Sequence, residues 1–363
     1  MTRVLLSGLS NDRVELNLAC ALRKSGVELF AIDDPHSSAI EWCQSCGIPH
    51  MDHEFHNRFE HEAIVIYREL LRAHAFDILH CLTNRALSTA LLATRHMDRP
   101  PTIIAYRGTM GHLHHWDPAS RLSYLSPRVD AIVCVSDAVR RYLKEFDIPD
   151  SRLDVIWKGH DPAWYSASPR TALAEFGIPP DAVAVGFVGN IRPVKGADDL
   201  LRAFDGIRPG ENIHLVLIGE VRDRHIEKQI GRHPHVHFLG FRPDAAPLVG
   251  ACDAAVMPSI EREGLPKAML EAMAQGIPPI VTDVGGMPEL VEHEACGLVV
   301  PPRDPAALRD AIRRLARDAA LRRRMGAAAR ARIDGPFHFR HTVEKTLALY
   351  ARLLSTGTEA ARL

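Results

Sequence analysis

The sequence predicts an α/β protein made of two Rossmann-like lobes, each a parallel sheet wrapped in helices. Three observations carry that expectation. Short, nearly continuous apolar runs alternate with helix-length amphipathic segments, the pattern of strands buried on both faces. The alternation pauses once, at Gly159-His160-Asp161-Pro162 and Ser166-Ala167-Ser168-Pro169, which read as a linker, and then restarts. A length of 363 residues suits two domains of roughly 100 to 200 residues each.

Taken in order, Val4-Leu5-Leu6 is the opening strand, followed by a helix over about 14–24 that Gly26 ends. Glu28-Leu29-Phe30-Ala31-Ile32, Phe76-Asp77-Ile78-Leu79-His80, Thr102-Ile103-Ile104-Ala105-Tyr106, Ala131-Ile132-Val133-Cys134-Val135 and Leu153-Asp154-Val155-Ile156 complete the first set of strands. The second set comprises 183–188, 213–218, 236–239, 254–257, 279–281 and 297–300. An arginine-rich helix is expected over 305–333, ending near Gly335-Pro336, and a last amphipathic helix over about 341–354. The expected domains are 1–165, 170–335 and a helical tail, 336–363.

Composition narrows the function. Forty-four Lys plus Arg against 45 Asp plus Glu give a net charge of -1, which argues against a general nucleic-acid binder. A hydrophobic share of 46% with 25% charged residues fits a folded globular protein. No apolar stretch reaches membrane-spanning length, and the apolar run at the N-terminus is too short for a signal peptide. The seven cysteines are odd in number and mostly lie in apolar runs, so reduced, buried thiols in a cytoplasmic protein are expected. Cys43 and Cys46 form a CxxC, with no second pair at zinc-site spacing.

In such lobes ligands bind at the carboxyl ends of the strands, and two strand-end segments there carry chemistry. The first runs from Ser259 through Glu263-Gly264-Leu265-Pro266 to Glu271 and Gly276. Gly264 frees the backbone, Pro266 suits the first helical position, and the free amides of a helix over 267–275 can bind an anion. Glu263 and Glu271 disfavour an anion unless they accept hydroxyl hydrogen bonds, and sugar and ribose hydroxyls are natural donors. The plainer reading makes Glu263 a capping acid and Glu271 a solvated helix residue. The second segment, Gly189-Asn190-Ile191-Arg192-Pro193-Val194-Lys195-Gly196, is a glycine-flanked turn bearing two cations. These can neutralise a diphosphate leaving group without a metal, or can simply be solvated. No DxD pair, Walker loop or GxGxxG fingerprint occurs.

Together these segments resemble the bacterial family-4 retaining glycosyltransferases of the GT-B fold. Glu263 and Glu271 match the family's paired-glutamate motif, and Asp283-Val284-Gly285-Gly286-Met287-Pro288-Glu289 and Gly297-Leu298-Val299-Val300-Pro301-Pro302 resemble the blocks that follow it. The resemblance implies two Rossmann-like lobes facing a deep cleft, with a hinge near 159–169. It implies a nucleotide-sugar donor in the C-terminal lobe, an acceptor in the N-terminal lobe and no cofactor or metal. It also implies that the last helix returns to the N-terminal lobe. By the same resemblance Glu271 holds the ribose, Glu263 contacts the donor sugar near the amides of Gly264, Leu265 and Pro266, and Lys195 binds the diphosphate. Many members have an arginine where this chain has Asn190. In an extended segment Arg192 faces the same side and is the expected substitute.

The N-terminal lobe is less distinctive. The loop 7–13 stands where the family has a glycine-rich loop near donor phosphate and acceptor, so Gly8, Asn11 and Arg13 are candidates. Arg107 occupies the strand end where many relatives have a histidine, and His112 and His114 follow as candidate acceptor contacts; an unspecific loop is the alternative. Ser136 reads first as a helix cap. The expected reaction moves a sugar, from UDP by default, to a glycan or glycolipid acceptor, with lipopolysaccharide core or another surface polysaccharide as the setting. A nucleotide-sugar epimerase or a catalytically silent nucleotide-sugar-binding protein is the alternative. Work on the cytoplasmic side is expected. Arg68, Arg72, Arg140, Arg141 and Lys144 read as a solvated face, with peripheral contact to the inner membrane as the alternative.

Overall fold

The computed structural model describes residues 1–34, 39–165, 169–221 and 223–360. Residues 166–168 of the expected linker lie outside them. The chain forms two compact units, 1–158 with 339–363, and 159–338.

The first unit is built on seven parallel strands: β1 (Arg3–Leu9), β2 (Glu28–Asp33), β3 (His50–Asp52), β4 (Ile78–Cys81), β5 (Thr102–Arg107), β6 (Ala131–Cys134) and β7 (Leu153–Val155). Their spatial order is β3-β2-β1-β4-β5-β6-β7. Leu5 lies beside Phe30 on one side and Leu79 on the other. Both faces of β1 are buried, which is why it reads as an unbroken apolar run. The connecting helices are α1 (Arg13–Lys24), α2 (Ala39–Ser45), α3 (His61–Ala73), α4 (Asn84–Ala93), α5 (Pro118–Arg121) and α6 (Asp137–Lys144). Asp12 caps α1 by accepting from the Val14 and Glu15 amides at 2.9 and 3.3 Å, and Ser136 caps α6 by accepting from Val139 N.

The second unit has six parallel strands: β8 (Val183–Val188), β9 (Ile213–Ile218), β10 (Val236–Phe238), β11 (Ala254–Met257), β12 (Pro279–Thr282) and β13 (Leu298–Val300). They are ordered β10-β9-β8-β11-β12-β13. Helices α7 (Ala197–Asp205), α8 (Arg224–Ile230), α9 (Ala245–Gly250), α10 (Lys267–Ala274), α11 (Met287–Leu290), α12 (Pro305–Arg317) and α13 (Ala319–Asp334) connect and cover them. A β-carbon on Gly326 of α13 would lie 2.0 Å from the Gly276 carbonyl oxygen, so glycine is what lets α13 pack this closely on the end of α10.

The last helix, α14 (Phe339–Ala360), belongs to the first unit. Leu349 and Tyr350 enter its core, Thr342 Oγ1 donates to the Trp157 carbonyl at 2.8 Å, and Arg352 pairs with Asp154 at 2.6 Å.

Four features differ from the sequence reading. Strand β3, three residues long with two of them polar, carries no apolar run to signal it; only pairing with β2 makes it a strand. The arginine-rich helix is two helices, because Asp318 turns extended and caps α13 by accepting from Leu321 N at 2.8 Å. Residues 159–165 join the second unit, where His160 N donates to the Phe337 carbonyl at 2.9 Å. Finally, the cysteines are not all free thiols: Cys20 on α1 and Cys46 just after α2 form a disulfide, with Cα atoms 5.6 Å apart. Packing of α1 against α2 brings together residues whose spacing carries no such signal. Cys43, Cys81, Cys134, Cys252 and Cys296 are buried and lie outside that disulfide, and burial pushes the Cys81 and Cys134 thiols up to about 12.

Docking of α14 places a titratable group in the core. His80 Nδ1 lies 2.7 Å from the Tyr350 hydroxyl, while Nε2 is buried with no hydrogen-bond partner among the described residues. Desolvation lowers His80 to about 4. The unfolded chain therefore binds a proton that the folded one does not between about pH 4 and 6.5. The neutral histidine's contribution is complete above the unfolded value and is lost as pH falls towards 4. It amounts to something on the order of 3 kcal/mol. Denaturant titrations across pH 7 to 4 should show His80→Gln losing less stability than wild type; equal slopes would rule out His80 as the titrating group.

Candidate active site

In the second unit, neighbouring strands β8 and β11 come from distant parts of the chain, and their carboxyl ends flank the point where the strand order reverses. The loops that follow them touch. Ile260 N donates to the Val194 carbonyl at 3.0 Å. Gly196 has φ +70°, and a β-carbon there would lie 1.9 Å from the Pro258 carbonyl oxygen, so only glycine permits this approach.

The contact sets Lys195 against Glu263. Lys195 closes a short 3-10 turn over Pro193–Lys195, and its Nζ lies 2.6 Å from Glu263 Oε2. The Ser259 hydroxyl donates to the same oxygen at 2.8 Å. Ser259 is fully buried, and its carbonyl accepts from Thr282 Oγ1 at the end of β12. The Glu263 carbonyl accepts from Gly286 N at 3.3 Å. Three motif segments thus converge on one buried carboxylate, which is held from both its backbone and its side chain.

The remaining donor-side candidates lie around this pair. Glu271 sits on α10 with its carboxylate 3.7 Å from Lys267 Nζ. Gly264 and Pro266 are buried and Leu265 is half-buried. Pro266 occupies the cap position of α10 in place of the expected first helical one. Asn190 and Arg192 are exposed on either side of buried Ile191, as alternation in an extended segment requires. The Arg192 guanidinium makes no ion pair among the described residues. Among those residues no group of three or more His, Cys, Asp or Glu side chains is placed to hold a metal ion.

The candidates of the first unit do not form one cluster. Gly8, the last but one residue of β1, has φ +78° and lies against Thr83. Asn11 and Arg13 are exposed at the start of α1. Arg107 is buried and holds its own loop: Nε donates to the Thr109 carbonyl at 2.8 Å, Nη2 donates to the Gly111 carbonyl, and the guanidinium lies 4.7 Å from the Tyr124 ring centroid. His112 is exposed with φ 61°. His114 stacks on Trp116, and His115 lies tilted against Phe146, so these two histidines face different neighbours.

Sequence reasoning missed the network that anchors the β1–α1 loop. Lys158 Nζ lies 2.5 Å from Glu15 and 3.4 Å from Asp12, and 4.9 Å from the Tyr106 ring centroid. Ser10 Oγ donates to the other Glu15 oxygen at 2.9 Å. Burial opposes the charge on Lys158, but attraction to Tyr106, Glu15 and Asp12 prevails and holds its amine well above the usual lysine range. The partners lie 143 residues apart, so no local pattern could reveal them.

Two Rossmann-like units, the second with a lysine and a glutamate joined across its switch point, define a glycosyltransferase of the GT-B fold. The chain belongs to glycosyltransferase family 4: residues 12–164 match the model described as Glycosyltransferase Family 4, and residues 182–318 that of Glycosyl transferases group 1. It is similar to the N-acetyl-alpha-D-glucosaminyl L-malate synthase of Bacillus anthracis, 28% identical over 79% of this chain and 77% of that protein. Among solved structures, a glycosyltransferase from Rickettsia africae superposes with a TM-score of 0.83 at 17% identity, covering 97% of this chain and 98% of that one. Anabaena HepE in complex with UDP superposes with a TM-score of 0.80 at 20% identity, over 98% and 100% of the two chains.

The anchor of the β1–α1 loop is directly testable. Lys158→Met leaves two carboxylates without their cation and should cost roughly 3 to 5 kcal/mol in urea unfolding. Adding Glu15→Gln to that variant should recover part of the loss. Strictly additive losses would show that the two residues are not coupled.

Proposed function

We propose that this glycosyltransferase moves a sugar from a nucleotide diphosphate sugar, UDP by default, to a hydroxyl of a glycan or glycolipid, with retention and without a metal. The setting is surface polysaccharide assembly, lipopolysaccharide core first, on the cytoplasmic side. No helix among the described residues is long and apolar enough to cross a membrane. The observation that carries the reading is Lys195 paired with Glu263, next in the chain to the amides of Gly264 and Leu265. The UDP held by HepE agrees with a uridine donor.

In this mechanism Lys195 and Arg192 meet the negative charge that develops on the diphosphate as the bond from its oxygen to the anomeric carbon breaks. The amides at the start of α10 add partial positive charge. Glu263 accepts hydrogen bonds from the donor sugar and favours its cationic centre, while Glu271 takes the ribose hydroxyls. The acceptor oxygen bonds to the anomeric carbon from the face the phosphate leaves, and its proton passes to a phosphate oxygen. Ser259 acts through Glu263 and is a positioning residue.

The test is release of free nucleotide from a panel of UDP-, GDP- and ADP-sugars, with and without acceptor. Lys195→Ala should lower kcat by roughly 10² to 10³, and EDTA should leave the rate unchanged. NMR of the early product should show the donor's anomeric configuration. Inversion would overturn retention; loss of activity on chelation, restored by Mg²⁺ or Mn²⁺, would overturn the metal-free step; silence across the panel would overturn the donor reading.

A further inference from the structure

Of the seven cysteines, Cys46 is the one that is not buried. It is also one half of the Cys20–Cys46 disulfide. Cys20 lies on α1 at 7% exposure, while Cys46 follows α2 with its sulfur 3.8 Å from the Ser45 hydroxyl.

We propose that this bond is a reversible modification site, opened and closed by exchange with a small soluble thiol such as glutathione, and that its state sets how firmly α2 and β3 are held on the first unit. The inference is independent of the proposed transfer reaction.

Three observations carry it. The first is access. A thiolate must reach the sulfur it attacks. Burial closes the Cys20 sulfur to a thiol from solution and leaves Cys46 as the point of attack. The thiolate bonds to Cys46 Sγ, the electron pair of the S–S bond passes to Cys20 Sγ, and Cys20 takes up a proton. A second thiolate then attacks the small-molecule sulfur of the mixed disulfide and releases Cys46, which is protonated in turn. Two small thiols are oxidised to one disulfide, and the protein disulfide is reduced to two thiols. Closure is the same sequence reversed.

The second is how little else holds the segment. Of residues 39–52, only Ala39, Cys43 and Ile48 enter the core as buried residues. Helix α2 has seven residues, well short of the roughly 12 to 15 at which an isolated helix is even marginal. Strand β3 has three residues and lies at the edge of the sheet, against β2. The Ile48 amide donates to the Cys43 carbonyl at 2.9 Å, a bond internal to the segment.

The third is chain entropy. The bridge joins residues with a sequence separation of 26. Opening it returns that freedom to the unfolded chain and lowers stability. The segment that loses its tie buries three apolar side chains, so it opens locally before the central strands do. Cys43 reports on this, because it is 1% exposed on α2 while the bridge is closed.

The experiment equilibrates the full chain in glutathione buffers from oxidised to reduced, quenches with acid, alkylates in denaturant and maps the thiols by peptide mass. Cys20 and Cys46 should be blocked together at the oxidised end and alkylated together at the reduced end, with the chain folded throughout. A brief pulse of reduced glutathione should leave its mixed disulfide on Cys46 and not on Cys20. Iodoacetamide applied to the folded protein should modify Cys43 roughly tenfold faster or more in the reduced state, while Cys81 on β4 and Cys134 on β6 stay unmodified. Tm should fall by roughly 5 to 10 °C on reduction. Cys46→Ser, with Cys20→Ser as the second variant, should show the reduced properties in every buffer. Cys20 and Cys46 free at the oxidised end, a bridge that stays closed in reduced glutathione until the chain unfolds, glutathione on Cys20, or an unchanged Cys43 rate would each overturn the inference.

Discussion

Parallel pairing is the constraint on which the rest of this protein depends. A parallel sheet can be extended only by crossovers that pass over its faces, so helices cover both sides and the strands become apolar throughout. It also sends every strand-to-helix loop to one end. Among the described residues, thirteen strands therefore present their functional loops at the carboxyl ends of two sheets, and chemistry concentrates where each strand order reverses. In the second unit that point lies between β8 and β11 and holds Lys195 and Glu263. In the first it lies between β1 and β4 and holds a cavity beside Gly8.

Charge is handled alike in both units. Glu263 is buried but not isolated: a lysine and a serine hydroxyl meet one oxygen, and the serine is itself fixed through Thr282. Lys158 is half-buried among Glu15, Asp12 and the Tyr106 ring. An unpaired buried charge would cost several kcal/mol, so each network is held together by the penalty for breaking it. Such networks place side chains more tightly than apolar packing does, because hydrogen bonds are directional. Glu263 can thus be aimed by residues that themselves touch no substrate.

The return of α14 gives the first unit a core that its own first 158 residues do not complete. Tyr350 and Leu349 fill it, and Tyr350 meets His80 on a central strand. Neutral His80 is tolerated there because one nitrogen is hydrogen-bonded, and its lowered proton affinity follows from burial.

By itself the sequence determined the two-lobe α/β architecture, because unbroken apolar strands can arise only in sheets covered on both sides. It also singled out Lys195 and Glu263, because glycine and proline mark the loops that carry them, and Glu271 on the helix that follows. What had no local signature was left to the tertiary structure. Strand β3 exists only through its neighbour; Cys20 meets Cys46 only because α1 packs on α2; and Asp318 divides a helix whose residue preferences run straight through it. Arg107 had the right position at a strand end, but its guanidinium is used to hold its own loop. Lys158 is 143 residues from Glu15, and the cavity draws Asp34, Glu54 and Arg85 from three different connections. Periodicity records what one segment buries, whereas a site is made of groups that only the packed sheet brings within hydrogen-bonding distance.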